Sequence, residues 1–405
     1  MGKVSSTINV GPVLRMMLKS ARSNRRFGSY DYLFVLPAVP HGPASGGYRV
    51  VYELSRRLSR DGFRAGLVFL VDNRFIGISE SRRQWLHRFP LSVARVLRDE
   101  SYLETVRKTE DLWGVDLIAS DSINRIDTRR VFATHFSTAF LVAHYAATTE
   151  KFYLIEHAED DPSYSGKLSQ IASLTYSLPL RKIVTNRKMY DRFRNENPLF
   201  LQLGFESDFY TLSKPIESRG GCVLIPLLKS ESKGSVYGTN ALGALKLEDP
   251  GISILSYGDL EPSEVPSFVD CYFGQHSIRA YSGPRNPVLK NMYNTAAVFV
   301  LPSLIEGFSL PTLEAMHCGC AVVVTDNGGV NEYVRDGVNG VIVPVRDSES
   351  IKSAVTILLK NHTRRIQLAR NALETSERFS FEKSYQSFQS IMSTEHGRAP
   401  SNSVA

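Results

Sequence analysis

Two glutamates separated by seven residues, Glu306 and Glu314, stand in the stretch PSLIEGFSLPTLEAMHCG at 302–319. An apolar run, VFVLPS, ends at Ser303, and Glu306 falls in the Gly-containing loop that follows. Pro311 occupies the place of a first helical turn, which puts Glu314 one turn into a helix. The free N–H groups of Phe308, Ser309 and Leu310 at such an N-terminus favour an anion such as phosphate. Carboxylates are poor phosphate ligands but accept several hydrogen bonds each, so hydroxyls of a sugar and of a ribose are their natural partners. On spacing alone the same two residues equally fit a simpler role, that of complementing the helix dipole.

A second candidate is Gly46-Gly47, between the apolar run YDYLFVLP (30–37) and a helix beginning near Tyr48. Glycine lets a backbone approach a ligand closely, and a helix start favours negative charge. A glycine pair also marks ordinary tight turns, and the dinucleotide pattern G-x-G-x-x-G is absent. Two histidines close strand-like runs, His135 in RVFATH and His157 in KFYLIEH. Glu159, Asp160 and Asp161 follow the second and offer carboxylates to hydroxyls, although an acidic run equally suits a solvated loop. Cys318-Gly319-Cys320 lacks a second ligand pair at zinc-like spacing, so no metal site is expected.

The elements that must position these residues alternate between short apolar runs and helical stretches, the pattern of a parallel sheet covered by helices. Strands are expected at 30–37, 65–71, 115–120, 130–135, 151–157 and 181–186. A polar stretch with a proline and a glycine pair near 206–220 interrupts the series. It resumes with strands at 222–228, 252–258, 278–283, 298–304, 321–325 and 340–344, a helix at 235–247, and closing helices at 348–360, 362–378 and 380–393. This predicts an α/β chain with a basic arm (1–30), an N-terminal domain (31–212) completed by helix 380–393, and a C-terminal domain (213–379). In such sheets ligands bind beyond the carboxyl ends of the strands.

With 405 residues, 42% hydrophobic and 22% charged, the chain can build sizeable cores, which excludes disordered, collagen-like and disulfide-scaffold classes. Four cysteines, a start unlike a signal peptide and no membrane-spanning apolar run lead to the expectation of a cytoplasmic protein. Six of the net +7 charges fall in residues 1–30, so the body is nearly neutral and nucleic-acid binding is not expected. In residues 10–27, Val13, Met16 and Met17 lie at helical spacing among cations. That fits a solvated arm, or one resting on an anionic membrane surface.

Glu306-Gly307-Phe308-Ser309-Leu310-Pro311 followed by Glu314-Ala315 resembles the signature of the retaining glycosyltransferases of family 4, which have the GT-B fold. TDNGGVNEYVRDGVNG (325–340) is similar to that family's next block, G-G-x-x-E and D-G-x-N-G. The resemblance implies two doubly wound, parallel-sheet, Rossmann-like domains facing a cleft. It implies a retaining hexosyltransferase that moves a sugar from a nucleotide-sugar donor to a hydroxyl of a glycan or lipid-linked acceptor, with no metal cofactor. By the same resemblance Glu314 holds the nucleotide ribose and Glu306 the hydroxyls of the donor sugar. Gly307 and the amides of Phe308, Ser309 and Leu310 lie at the diphosphate or sugar, Gly46 and Gly47 beneath the phosphates, and His157 faces the reacting sugar. His135, Glu159 and Asp160 are placed on the acceptor side. Of the family's basic pair, Lys233 matches the lysine, but Leu228 stands where the arginine is expected, with Lys229 next door as its substitute. FYLIEHAEDDPSYSG (152–166), LTYSLPLRKIVTNRKMYDRF (174–193) and VLIPLLKSESKGSVYG (223–238) are similar to bacterial rhamnosyltransferases of O-antigen and surface-layer glycans. That implies rhamnosyl transfer in cell-surface polysaccharide biosynthesis, at the inner face of the membrane. Two alternatives stay open: a non-catalytic nucleotide-sugar-binding partner subunit, motivated by Leu228, and a GT-B epimerase or phosphorylase.

Overall fold

Strands buried on both faces need near-continuous apolar runs, and the runs in this chain form parallel strands. The computed structural model describes residues 27–39, 46–70, 100–120, 123–258, 277–278 and 286–396. Arm residues 1–26 and all but the first residue of the strand expected at 278–283 lie outside the described residues. β1 begins at Phe27, inside the span read as an arm.

The first series comprises β1 (Phe27–Leu36), α1 (Gly46–Arg60), β2 (Ala65–Leu70), α2 (Glu100–Thr109), β3 (Asp116–Ser120), β4 (Ile126–Ala133) and α3 (Phe136–His144). It continues with β5 (Glu150–Ile155), α4 (Pro162–Ser165), α5 (Ser169–Thr175), β6 (Arg181–Val184), α6 (Arg187–Arg192) and β7 (Leu199–Phe200). These strands make a seven-stranded sheet of order β3-β2-β1-β4-β5-β6-β7. Register brings Phe34, Phe132 and Phe152 side by side on β1, β4 and β5. Their rings stack at 4.7 and 4.8 Å between centroids, a cross-strand aromatic ladder that fixes the pairing.

The second series is β8 (Cys222–Leu227), α7 (Ser235–Glu248), β9 (Ser253–Gly258), β10 (Ser277–Ile278), α8 (Pro287–Thr295), β11 (Val298–Leu301), α9 (Leu310–His317), β12 (Ala321–Thr325) and β13 (Val341–Val343). It closes with α10 (Ser348–Lys360), α11 (His362–Ser376) and α12 (Phe381–His396). The six-stranded order is β10-β9-β8-β11-β12-β13. Alternate residues Val223, Ile225 and Leu227 of β8 share one core with Leu242 of α7 and Val355 of α10. Pro226 is tolerated in this inner strand because the β8–β11 ladder ends at Leu224, two residues before the missing N–H. Side-chain oxygens cap helix starts, Asn286 for α8 and Asp347 for α10. Among the described residues no helix is long and apolar enough to cross a membrane.

The chain divides into two units, each assembled from separate stretches. The first holds residues 1–40, 54–154 and 167–182, and the second holds 41–53, 155–166 and 183–405. The expected division at 212/213 therefore falls inside the second unit, which also takes in the start of α1 and the loop after β5. Within it α12 docks on residues 202–205. The Phe381 N–H donates to the Phe205 carbonyl at 3.1 Å and the Gln202 N–H to Ser387 Oγ at 3.2 Å. Gly204 is required there, since a Cβ would lie 2.1 Å from the Ser380 carbonyl oxygen.

Candidate functional site

β8, β11 and β12 are neighbours, so the loops leaving their carboxyl ends converge. The loop after β8 closes onto the loop after β11 through the Ser232 carbonyl, which accepts from the Leu304 N–H at 2.7 Å. Gly234 permits this approach: its φ is +61°, and a Cβ would meet the Pro302 carbonyl at 2.0 Å. Lys233 Nζ thereby reaches Glu306 Oε1 at 2.9 Å, and Ser303 Oγ donates to the same oxygen at 2.7 Å. Glu306 retains 11% side-chain exposure, so the carboxylate stays reachable.

The turn into α9 is held rigidly. Ser309 takes a left-handed conformation with φ +67°, and its Oγ lies 2.9 Å from Thr312 Oγ1. The Tyr333 hydroxyl points at the Phe308 and Ser309 carbonyls, at 2.8 and 2.7 Å. Gly329 lies against this turn, where a Cβ would fall 2.7 Å from the Phe308 nitrogen. The small-residue block at 325–340 thus supports the Glu306–Ser309 loop from beneath. The Phe308 ring is buried edge-on to Tyr333, centroids 5.2 Å apart, so the backbone of Phe308 is what this residue can offer a ligand.

Glu314 is 1% exposed, and its two oxygens have different partners. Oε1 accepts from Arg49 Nη2 at 2.6 Å and Oε2 from the Tyr293 hydroxyl at 3.0 Å. Arg49 also bonds both oxygens of Glu206, at 3.3 Å through Nε and through Nη2. Burial works against the Arg49 charge, yet Glu206 and Glu314 hold its pKa well above the ordinary value. Burial pushes Glu206 up to about 7, against the pull of Arg49.

β5 stops at Ile155, which leaves Glu156 and His157 in the following loop rather than on the strand. The Glu156 carbonyl is clamped by Asn186 Nδ2 at 2.7 Å and Thr185 Oγ1 at 3.1 Å, and the same Asn186 nitrogen donates to the Gly307 carbonyl at 3.0 Å. The Glu156 carboxyl group covers Gly47, where a Cβ would lie 2.8 Å from Oε2. The loop after β5, the first turn of α1 and the Glu306 loop are thereby drawn together. His157 Nε2 is buried without a hydrogen-bond partner, and its ring meets Tyr164 edge-on at 4.0 Å. Burial, with Lys233 adding to it, lowers His157 to about 3, so the ring is a neutral imidazole at pH 7.

Burial alone pushes Glu156 up to about 7 from its usual 4.5. Because the folded value is the higher one, its contribution to stability is present below pH 4.5 and is lost as pH rises through 7. Glu156→Gln, uncharged at every pH, is expected to gain stability relative to the wild type across that window, by on the order of 1–3 kcal/mol. Urea unfolding at pH 5 and pH 8 measures this; an equal difference at both values would exclude a buried, titrating Glu156.

The other expected residues are placed as follows. Gly46 begins α1, and a Cβ there would meet only Leu310 Cδ1, at 3.9 Å. Lys229 is exposed, and Leu228 is locked by its backbone to Ser235 Oγ at 2.8 Å. Asp160 is gripped by both Arg192 Nη atoms at 2.7 and 2.6 Å, and Glu159 is buried. His135 belongs to the first unit; its Nδ1 accepts from the Ser137 N–H at 3.2 Å and caps α3 rather than ending a strand. Among the described residues no group of three or more His, Cys, Asp or Glu side chains is arranged to hold a metal ion. Arg49, Glu206 and Tyr293 lie outside the motifs, and Glu156 and Asn186, although inside the stretches 152–166 and 174–193, occupy no position there that points to a role. One clue was available: a cation in the first turn of α1 opposes the helix dipole, which calls for a local acid.

Residues 278–375 match the family of group 1 glycosyl transferases. Anabaena HepE, solved in complex with UDP, superposes with a TM-score of 0.66 at 14% identity, covering 90% of this chain and 100% of that one. The fold is GT-B. A second GT-B neighbour is the sucrose-phosphate synthase of Thermosynechococcus elongatus, with a TM-score of 0.62 at 14% identity over 92% of this chain and 100% of that one. Among curated relatives, the GT-B chain is 32% identical over 111 residues to the N,N'-diacetylbacillosaminyl-diphospho-undecaprenol alpha-1,3-N-acetylgalactosaminyltransferase of Campylobacter jejuni. It is 38% identical over 95 residues to the D-inositol 3-phosphate glycosyltransferase of Saccharomonospora viridis. These matches cover 27% and 24% of this chain and span only 29% and 22% of the relatives themselves.

Proposed function

We propose that the protein is a glycosyltransferase that moves a sugar from a nucleotide-diphosphate donor to an acceptor hydroxyl with retention of configuration. The observation that carries this reading is the Lys233–Glu306 pair beside the α9 N-terminus. On this reading the cation and the polarised amides meet the charge that gathers on a leaving diphosphate, and the carboxylate meets hydroxyls of the sugar. In the proposed reaction the C1–O bond to the diphosphate breaks, the acceptor oxygen bonds C1 on the same face, and the acceptor proton passes to the departing phosphate. Neutral His157 supplies a hydrogen bond to the sugar without adding charge, and the chemistry as proposed calls on no resident metal.

The group 1 match over residues 278–375 supports sugar transfer. The UDP bound by Anabaena HepE supports a nucleotide donor. The Campylobacter relative, named for an undecaprenol-linked acceptor, supports a lipid-linked acceptor in surface-polysaccharide assembly, and the cations of residues 1–30 suit an anionic membrane face. Rhamnosyl transfer rests on the resemblance at 152–166, 174–193 and 223–238. Leu228 in place of an arginine favours a second reading, a donor-binding subunit without turnover. Titration with UDP, GDP and dTDP, followed by an assay for nucleotide release from the matching sugar donors, tests both. One nucleotide is expected to bind, weakened about 5- to 150-fold in Glu314→Ala, the loss of one or more hydrogen bonds to a charged group. Binding without turnover on any donor and acceptor selects the second reading, and no binding removes both.

A further inference from the structure

Arg49 is the cation that pairs with Glu206 and Glu314 among the described residues, and it serves both at once. Three segments far apart in the chain meet there: α1, the loop after β7, and α9. Other titratable groups face Glu314 from the elements around it: Tyr293 on α8, Tyr210, Tyr333, and Cys318 at the end of α9 itself. Burial pushes each of these upward, so none takes a charge near neutral pH. Tyr257, at the end of β9, sets the Tyr293 hydroxyl from behind at 3.1 Å. The charge balance of the cluster therefore lies with Arg49, Glu206 and Glu314, of which burial raises Glu206 to about 7.

We propose that Arg49 is a positioning residue for the donor nucleotide: by bridging Glu206 and Glu314 it holds the Glu314 carboxylate oriented to accept the hydroxyls of a ribose. This rests on the donor reading above and goes beyond it by naming what prepares the carboxylate. A carboxylate has about four acceptor positions. Arg49 uses one on Oε1 and Tyr293 one on Oε2, so each oxygen keeps one for a 2′,3′-diol. Without the guanidinium, Glu206 and Glu314 would face each other buried and uncompensated, and Glu206, pushed up to about 7 by burial even with Arg49 beside it, is the one that takes up a proton. Glu314 would lose the partner that fixes its Oε1, so its two remaining acceptor positions would no longer be held toward one diol.

The test is calorimetric titration of the full chain with UDP and 2′-deoxy-UDP between pH 6 and 8.5, for wild type, Arg49→Met, Arg49→Lys, Glu314→Gln and the Arg49→Met/Glu314→Gln double variant. Arg49→Met is expected to bind UDP about 10- to 100-fold more weakly and to narrow the preference for UDP over its deoxy form. In the Glu314→Gln background the same change is expected to cost nothing further, because Arg49 acts through that carboxylate. Arg49→Lys keeps the charge and loses the fork, so it is expected to recover part of the affinity with a steeper pH dependence than wild type. Should Arg49→Met fail to fold, Arg49→Lys alone carries the test. Wild-type affinity and pH profile in the folded Arg49 variants overturn this inference and leave the donor reading standing. A wild type that binds no nucleotide overturns both.

Discussion

Replacing Lys233 by methionine is expected to slow sugar transfer by roughly 100- to 1,000-fold, the scale of removing one preorganised electrostatic partner from a transition state. Lys233 Nζ lies 2.9 Å from Glu306 Oε1, at the mouth of the α9 N-terminus. On the proposed function it has two tasks, holding Glu306 and meeting the charge that grows on the leaving diphosphate. A strongly hydrated point charge suits the second task, since it needs no fixed fork. Methionine keeps the stem and most of the packing, so thermal unfolding is expected to change little at this half-buried site. Lys233 also lowers His157, so the variant is expected to raise the His157 pKa somewhat while burial keeps it below the usual range. Steady-state transfer rates and a histidine NMR titration give the two readouts. A rate within threefold of wild type would remove Lys233 from the chemistry.

Gly307→Ala is expected to damage both stability and transfer. A Cβ at this position would lie 2.4 Å from the Glu156 carbonyl oxygen, far inside contact distance. That carbonyl cannot retreat cheaply, because Asn186 and Thr185 both hold it and Asn186 holds the Gly307 carbonyl as well. The Glu306 loop must move instead. Overpacking of this kind costs about 1–3 kcal/mol, and a displacement near 1 Å of a positioned group costs on the order of 100-fold in rate. Gly220→Ala is the control: nothing lies within 4 Å of a Cβ there, and its φ is not in the left-handed region, so a change within about 0.5 kcal/mol is expected. If Gly307→Ala matches Gly220→Ala in melting temperature and activity, the clamp between the two loops plays no part in either.

Much of the fold was legible before any coordinates. The apolar runs of β8, β11 and β12 are buried throughout, and continuous burial leaves a continuous hydrophobic signature. The helices expected at 348–360 and 362–378 run from Ser348 to Lys360 and from His362 to Ser376, because capping Asp347 and Asn361 precede them. Strand ends were read too long: His135 became a helix cap and His157 a loop residue. The apolar runs stop with the ladders, at Ala133 and Ile155, and the polar pairs Thr134-His135 and Glu156-His157 beyond them belong to the loops.

By itself the sequence determined that Glu306 and Glu314 flank a helix N-terminus, since both lie in one short stretch whose loop, proline and helix obey local rules. Only the tertiary structure decided what those carboxylates meet. Arg49 is 265 residues from Glu314 and 157 from Glu206, Asn186 is 121 from Gly307, and Lys233 is 73 from Glu306. No periodicity or propensity reaches across such distances. These pairs exist because parallel strands deliver their loops to one end of a sheet, and because burial there obliges each charge to find a partner.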